Sequence, residues 1–450
     1  MATSISRALA RIKDDLEPFL PDDAITAACA AAGHAWRERK LGPVATVHLF
    51  VLQVLNFNTA ITNLRHLAGH AVNAAAYCRA RMRLPLAALQ SLLRSSSAAM
   101  RAAAAGGAAA ADPARWRGLR TFLVDGSATI APDTPSSQAA FGQPGNQKPG
   151  CGFPVPKILG LFDAFTGMVV EMLCYPLRTH EASQVWRLHP LLTAGDLLVG
   201  DRGFCSFAHL AMLHARGVLG LFRMHQKQVV DFRVGRRARR KGESGRPTSR
   251  FVRRLGKGDQ VVAWRRPKQR PGWMTDAQHD ALPATLLVRE VRYHLTGAGR
   301  RTRVVTIATT LLDEVKYPKA DVAALYGVRW QVETHFGELK TTLKMRRVKS
   351  QTAGGVEKEL AVYCLVYNLV HVIMARAAQR QGVTPDRISF VDAVRWLITA
   401  APGDALPDLV VNKVRDGRDE PRVVKDLQDT YRKMTLPRKQ MRRRPELAKR

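Results

Sequence analysis

Leu119-Arg120-Thr121-Phe122-Leu123-Val124-Asp125-Gly126-Ser127 decides how the rest of the chain is read. The run is short, apolar and bounded, the pattern of a buried strand, and it stops on a carboxylate followed by glycine. A second run repeats the arrangement: Leu197-Leu198-Val199-Gly200 delivers Asp201-Arg202-Gly203. Acids at the carboxyl ends of strands lie where open α/β sheets place their ligands.

Working outward, Lys157 to Phe162 and Met168 to Tyr175 flank a loop with turn chemistry, Asp163 to Gly167, and predict a hairpin. His180 to Leu192 reads as a helix, Ser206 to Arg216 as another, and Val218 to Met224 as a strand. This order implies an α/β fold, a mixed sheet flanked by helices. Beyond His225 comes an Arg-rich stretch, Arg236 to Lys257, and then β-type runs at Val261 to Trp264, Ala284 to Tyr293 and Arg303 to Leu311. Helical spacing resumes near Lys319 and continues to Ala400; the tail from Asn412 is basic. Before the first strand the chain is rich in Ala and Leu at helical spacing. There Pro43 opens a pair of helices, and Ser95 to Ala111 reads as a linker. The expected division is a helical N-terminal region 1–105, a first core segment 106–226, a β-rich insertion 227–318, a last core segment with following helices 319–400, and a basic C-terminal region 401–450.

Charge narrows the partner. Lys and Arg number 70 against 37 Asp and Glu, a net charge of +33 over 450 residues. Such an excess implies a polyanion, either nucleic acid or an acidic membrane surface. The most apolar stretches, Val44 to Phe57 and Leu360 to Ala375, are each broken by polar residues and predict buried helices, so no membrane partner is expected. The N-terminus has no export signal, and the six cysteines form no C-x-x-C pair; a reduced, cytoplasmic protein without a zinc module is expected.

The informative helix carries Tyr326, Arg329, Glu333 and Lys340, at offsets that fall within roughly 60° of one another at about 100° per residue. Leu325, Val332, Phe336, Leu339 and Leu343 form an adjacent apolar stripe, so the helix packs on the sheet while the polar row faces a site. By itself such a row more often marks an exposed helix with an i, i+4 ion pair, here Arg329–Glu333. Together with two strand-end aspartates it supplies three carboxylates for hard cations such as Mg²⁺, and two such ions suit phosphodiester chemistry.

At these residues the chain resembles the bacterial cut-and-paste DDE transposases of the insertion-sequence-four group. Their last acid lies in Tyr-x2-Arg-x3-Glu-x6-Lys, which Tyr326, Arg329, Glu333 and Lys340 match in full. The resemblance includes Val124-Asp125-Gly126 and Gly200-Asp201-Arg202-Gly203-Phe204 and covers roughly residues 35–445; Ser127 stands where many relatives carry threonine. It implies a ribonuclease-H-like core interrupted by the β-rich insertion, with Asp125, Asp201 and Glu333 binding two Mg²⁺ or Mn²⁺. It also implies that Tyr326, Arg329 and Lys340 contact phosphates, that the helical N-terminal region helps recognise transposon ends, and that the partner is double-stranded DNA, both ends and target. A homodimer on DNA, associated with the bacterial nucleoid, follows as an expectation, as does a hairpin at the cut end.

Other acids and aromatics lie near this pattern. Asp163 is explained by its turn, Asp196 by the loop before a strand, and Glu338 lies about 140° round the helix from the row; Asp231 and Glu314 also lie in the region. His225, His335 and His371 read as structural or surface histidines. Trp264, within the basic insertion, is a candidate for stacking on a displaced base, with a core tryptophan as its plain alternative. A nuclease without strand transfer, or a transposase-derived DNA-binding protein, are the competing functions; intact acids disfavour the second.

Overall fold

The computed structural model describes residues 19–37, 40–67, 73–105, 115–148, 150–239, 243–295, 304–401, 404–413, 436–437 and 440. Nine strands form one sheet: β1 Arg120–Ala128, β2 Lys157–Asp163, β3 Val169–Tyr175, β4 Asp196–Gly200, β5 Leu219–Arg223, β6 Arg250–Gly256, β7 Asp259–Arg265, β8 Thr285–His294 and β9 Val304–Thr309. Their order across the sheet is β3-β2-β1-β4-β5-β9-β8-β7-β6. β4 runs parallel to both β1 and β5, and every other neighbouring pair is antiparallel. The central residues Phe122 to Val124 and Leu197 to Val199 are buried, as befits strands covered on both faces. The fold is therefore a mixed α/β sheet with flanking helices.

The strands of the basic insertion continue the central sheet. β9 pairs with β5 through Leu221↔Thr309, and β8, β7 and β6 follow outward. Two local expectations change. His180 to Leu192 forms two 3-10 segments, Glu181–Ser183 and Val185–Leu191, and Pro190 inside the second removes a donor that an α-helix needs. Ser95 to Ala105 completes the helix Leu86–Ala105, consistent with alanine's helix propensity; residues 106–111 of the expected linker lie outside the described residues. Most of the basic tail from Asn412 does too.

The helix Ala353–Gln381 is long and apolar enough to cross a membrane, yet 89% of its apolar window is buried inside the protein. It is the central helix of the core. Asn368 on it exchanges two 2.8 Å hydrogen bonds with the backbone of Val169, completing the edge of β3. Its buried Glu359 accepts from Asn58 at 2.6 Å and from the backbone N–H groups of Lys349 and Ser350 at 2.8 Å. Arg94 on the helix Leu86–Ala105 pairs with buried Glu171 on β3, and Arg101 with Asp163 at 2.7 Å. The N-terminal helices thus share one hydrophobic core with the sheet.

Candidate active site

The parallel pairing of β1 with β4 ends at Val124 beside Gly200, so Asp125 and Asp201 follow side by side where that pairing stops. β1 itself does not end at Asp125, where the sequence predicts its end, but runs on to Ala128 paired with β2. Gly200 makes this close passage possible: a Cβ there would meet Val124 Cγ1 at 2.9 Å and the rings of Phe204 and Phe222 at 3.1 Å. Asp201 precedes the short 3-10 turn Arg202–Phe204, and buried Phe204 pins that turn to the core.

The segment expected as one helix is divided. Lys319–Val328 ends before Arg329, Gln331–Gly337 carries Glu333, and a π-helical turn spans Glu338–Thr342. Such wider turns recur at functional sites. Even so, the polar row converges on the sheet end. Tyr326 Oη lies 3.5 Å from Asp201 Oδ1, Arg329 Nη1 3.1 Å from Asp125 Oδ2, and Lys340 Nζ donates to Ser127 Oγ at 3.0 Å. Arg329 Nη2 is 3.6 Å from Glu333 Oε1, so its guanidinium bridges the first and third acids. The side chain of Arg329 is 6% exposed, that of Asp125 23% and that of Glu333 55%. The third acid therefore stands at the rim. Oxygen donors of this kind suit hard divalent cations.

A family model described as "Transposase DDE domain" matches residues 116–369, the span that holds this site. The chain belongs to that family. It is 26% identical over 331 residues, 69% of each chain, to the InsG transposase of insertion sequence element IS4 of Escherichia coli strain K12. Among solved structures it is similar to the piggyBac transposase in a synaptic complex with hairpin DNA, at 10% identity and a TM-score of 0.40, over 88% of this chain and 81% of that one.

Electrostatics mark the site of this family member. Burial pushes the Asp125 carboxyl up to about 6; the Gly126 N–H and Arg329 pull it down, and the charges of Asp201 and Glu181 push it up. Burial lowers the Lys340 ammonium, with Arg346 adding to the effect.

Glu181 was not singled out in the sequence. Its carboxylate lies between the glycines of the two aspartate motifs: a Cβ on Gly203 would be 2.8 Å from Oε1, and one on Gly126 would overlap Oε2. Those glycines were the available signal. Trp330, 55% exposed, was also missed; the guanidinium of Arg329 lies 4.8 Å from its ring. Trp264 is corrected. It is 7% exposed, packed in the core beside β8, and its indole N–H donates to Glu290 at 3.3 Å, so its ring offers no face to a base.

The sequence also gave no sign of a cluster of His335, Glu338 and His371, whose possible ligand atoms lie within 4.8 Å of one another. Among the described residues it is the only such set. The hydroxyl of Tyr367 already bonds His335 Nδ1 at 2.8 Å and Glu338 at 3.0 Å, and His371 Nδ1 lies 3.1 Å from the carbonyl of Thr166. The cluster braces the Glu333-bearing helix against the central helix and the β2–β3 turn. Glu338 does face away from the polar row.

Proposed function

We propose that the protein is a metal-dependent transposase that cuts double-stranded DNA at transposon ends and joins it to target DNA. Asp125, Asp201 and Glu333 hold two divalent cations, Mg²⁺ or Mn²⁺. The observation that carries this reading is the pair of aspartates that follow Val124 and Gly200 where the parallel pairing of β1 and β4 stops, with Arg329 from the Glu333 segment 3.1 Å from Asp125. The strand order β3-β2-β1-β4-β5 supports a ribonuclease-H-like core. When bound, the ions activate a water or hydroxyl and stabilise the leaving oxygen.

The chain's own residues hold the DNA. Arg329 and Lys340 exchange their contacts with Asp125 and Ser127 for phosphate oxygens, and Tyr326 orders the backbone beside Asp201. The helical region 1–105 reads transposon ends, the basic stretches of 227–318 and 401–450 add phosphate contacts, and two copies hold two ends. After the first nick, the freed 3′-hydroxyl attacks the phosphodiester of the opposite strand, sealing the transposon end as a hairpin and releasing the flanking strand on its 3′-oxygen; water then reopens the hairpin.

A time course on end-labelled DNA with Mg²⁺, resolved on denaturing gels, tests the pathway. A strand of doubled length should rise and fall before joined products accumulate. Double-strand breaks with no such species would remove the hairpin and leave the three-acid site standing. Loss of all cleavage without divalent ions is required by the site itself.

A further inference from the structure

The three-acid reading leaves Glu181 without a task. It sits on the 3-10 turn after β3, held in place by a 2.7 Å hydrogen bond between His209 Nε2 and the carbonyl of Ala182. Its two oxygens reach the backbone directly after Asp125 and two residues after Asp201. Among the described residues it has no ion-pair partner. Other carboxylates of this protein are treated differently: Asp163, Glu171, Asp196 and Asp259 each face an arginine. The neighbouring Tyr175 hydroxyl, buried with no hydrogen-bond partner, lies within reach of the charges of Glu181 and Asp125. An orphaned hydroxyl, and a carboxylate without an ion pair among the described residues, thus stand close to Asp125.

We propose that Glu181 is a fourth carboxylate ligand of the divalent-ion site, sharing with Asp125 and Asp201 the ion where the pairing of β1 and β4 stops. This rests on the three-acid reading. Hard divalent cations take six or more oxygens, and two aspartates fill only part of that shell. Glu333 stands at the exposed rim on a divided helix, whereas Glu181 sits on a turn that His209 of the helix Phe207–Ala215 ties down through the Ala182 carbonyl. A fourth acid also narrows the charge imbalance, since two divalent ions beside the Arg329 guanidinium outweigh three carboxylates. The glycines at 126 and 203 make room for the side chain that the ion needs.

The test titrates full-length protein with Mn²⁺ alone and follows free Mn²⁺ by its electron paramagnetic resonance signal. Glu181→Gln should raise the Kd about tenfold or more, with an unchanged melting curve in the absence of Mn²⁺, and Glu181→Asp should recover part of the loss. Gly126→Ala keeps the charge but drives the Glu181 carboxylate aside, and should weaken binding similarly; it carries the test if Glu181→Gln does not fold. Wild-type affinity in both Glu181→Gln and Gly126→Ala, with binding lost in Asp125→Asn, overturns the fourth ligand and keeps the three-acid site. No Mn²⁺ bound by the parent protein overturns both.

Discussion

The strands β1 and β4 begin and end differently. At their start, Arg120 lies in register with Asp196 and grips it through two hydrogen bonds of 2.6 and 2.9 Å, while the Thr193 N–H adds a third at 2.7 Å. At the finish of their pairing, one residue past Val124 and Gly200, stand Asp125 and Asp201, with Glu181 and Glu333 close by and one guanidinium, Arg329, serving Asp125 and Glu333. A buried carboxylate ordinarily needs its own cation and hydrogen bonds to offset desolvation. The start of the strands obeys that rule, as does the buried Arg289–Asp259 pair on β8 and β7. At the finish, by contrast, the partly exposed acids share a single guanidinium, as the proposed ion site requires.

The largest effect should come from the finish. Asp125→Asn, Asp201→Asn or Glu333→Gln should each lower DNA cleavage with Mg²⁺ by a factor on the order of 10³ or more, about 4 kcal/mol of barrier, while gel-shift binding of end DNA stays near normal. A variant that cleaves within tenfold of the parent does not belong to the site.

Breaking the start should do the reverse. Arg120→Ala leaves a fully buried Asp196 without its cation, an effect of about 3–5 kcal/mol in urea unfolding. Well below its melting temperature the variant should still cleave at near-parental rates, and adding Asp196→Asn should restore part of the stability. A cost below about 1 kcal/mol would make the two ends energetically alike.

The comparison also has a pH signature. The folded value of Asp125, about 6, lies above its ordinary 3.8, so the folded state holds the proton more tightly. The stability this contributes is complete below about 3.8 and is lost as pH rises through about 6. Asp125→Asn should therefore be more stable than the parent at pH 7 by about 2–3 kcal/mol, with the gain gone at pH 4. An equal gain at both pH values would mean that the ionised carboxylate carries no penalty.

Much of this contrast was legible in the sequence because it rests on short-range pattern. Apolar runs ending in Asp125 and Asp201 announced strands, and side chains three, seven and fourteen positions from Tyr326 announced one face. What failed depends on tertiary context. The row survives a helix break and a π turn because Tyr326, Arg329 and Lys340 are anchored to the sheet end and not to a straight axis. Glu181 was hidden because its place is set by the fold of β3 past β1, and nothing local in Arg-Thr-His-Glu-Ala-Ser marks it. Trp264 misled because a basic neighbourhood in sequence is not an exposed one in space: alternation along β7 turns its ring into the core. The exposed tryptophan, Trp330, lies next to Arg329 instead. Trp330→Ala should weaken end-DNA binding by about 1–2 kcal/mol if the ring stacks on a base, read by fluorescence anisotropy, whereas an unchanged affinity would leave it an exposed aromatic without a DNA contact.

The smallest expected effect separates the roles within the finish itself. Lys340 lies 3.0 Å from Ser127 and not on a carboxylate, so its charge is free to meet a phosphate without disturbing the acids. Removing it should therefore change counterion release and leave ion binding alone. Lys340→Ala should weaken DNA binding a few-fold, uniformly across DNA sequences, and make the dependence of log affinity on log salt shallower by about one. Arg120→Ala, at the opposite end of the same strands, should leave that slope unchanged. Mn²⁺ affinity should stay at the parental level in Lys340→Ala, in contrast to Asp125→Asn. A parental salt slope in Lys340→Ala would place the lysine among the side chains that hold the strand end, and the phosphate grip would then rest on Arg329 and Tyr326.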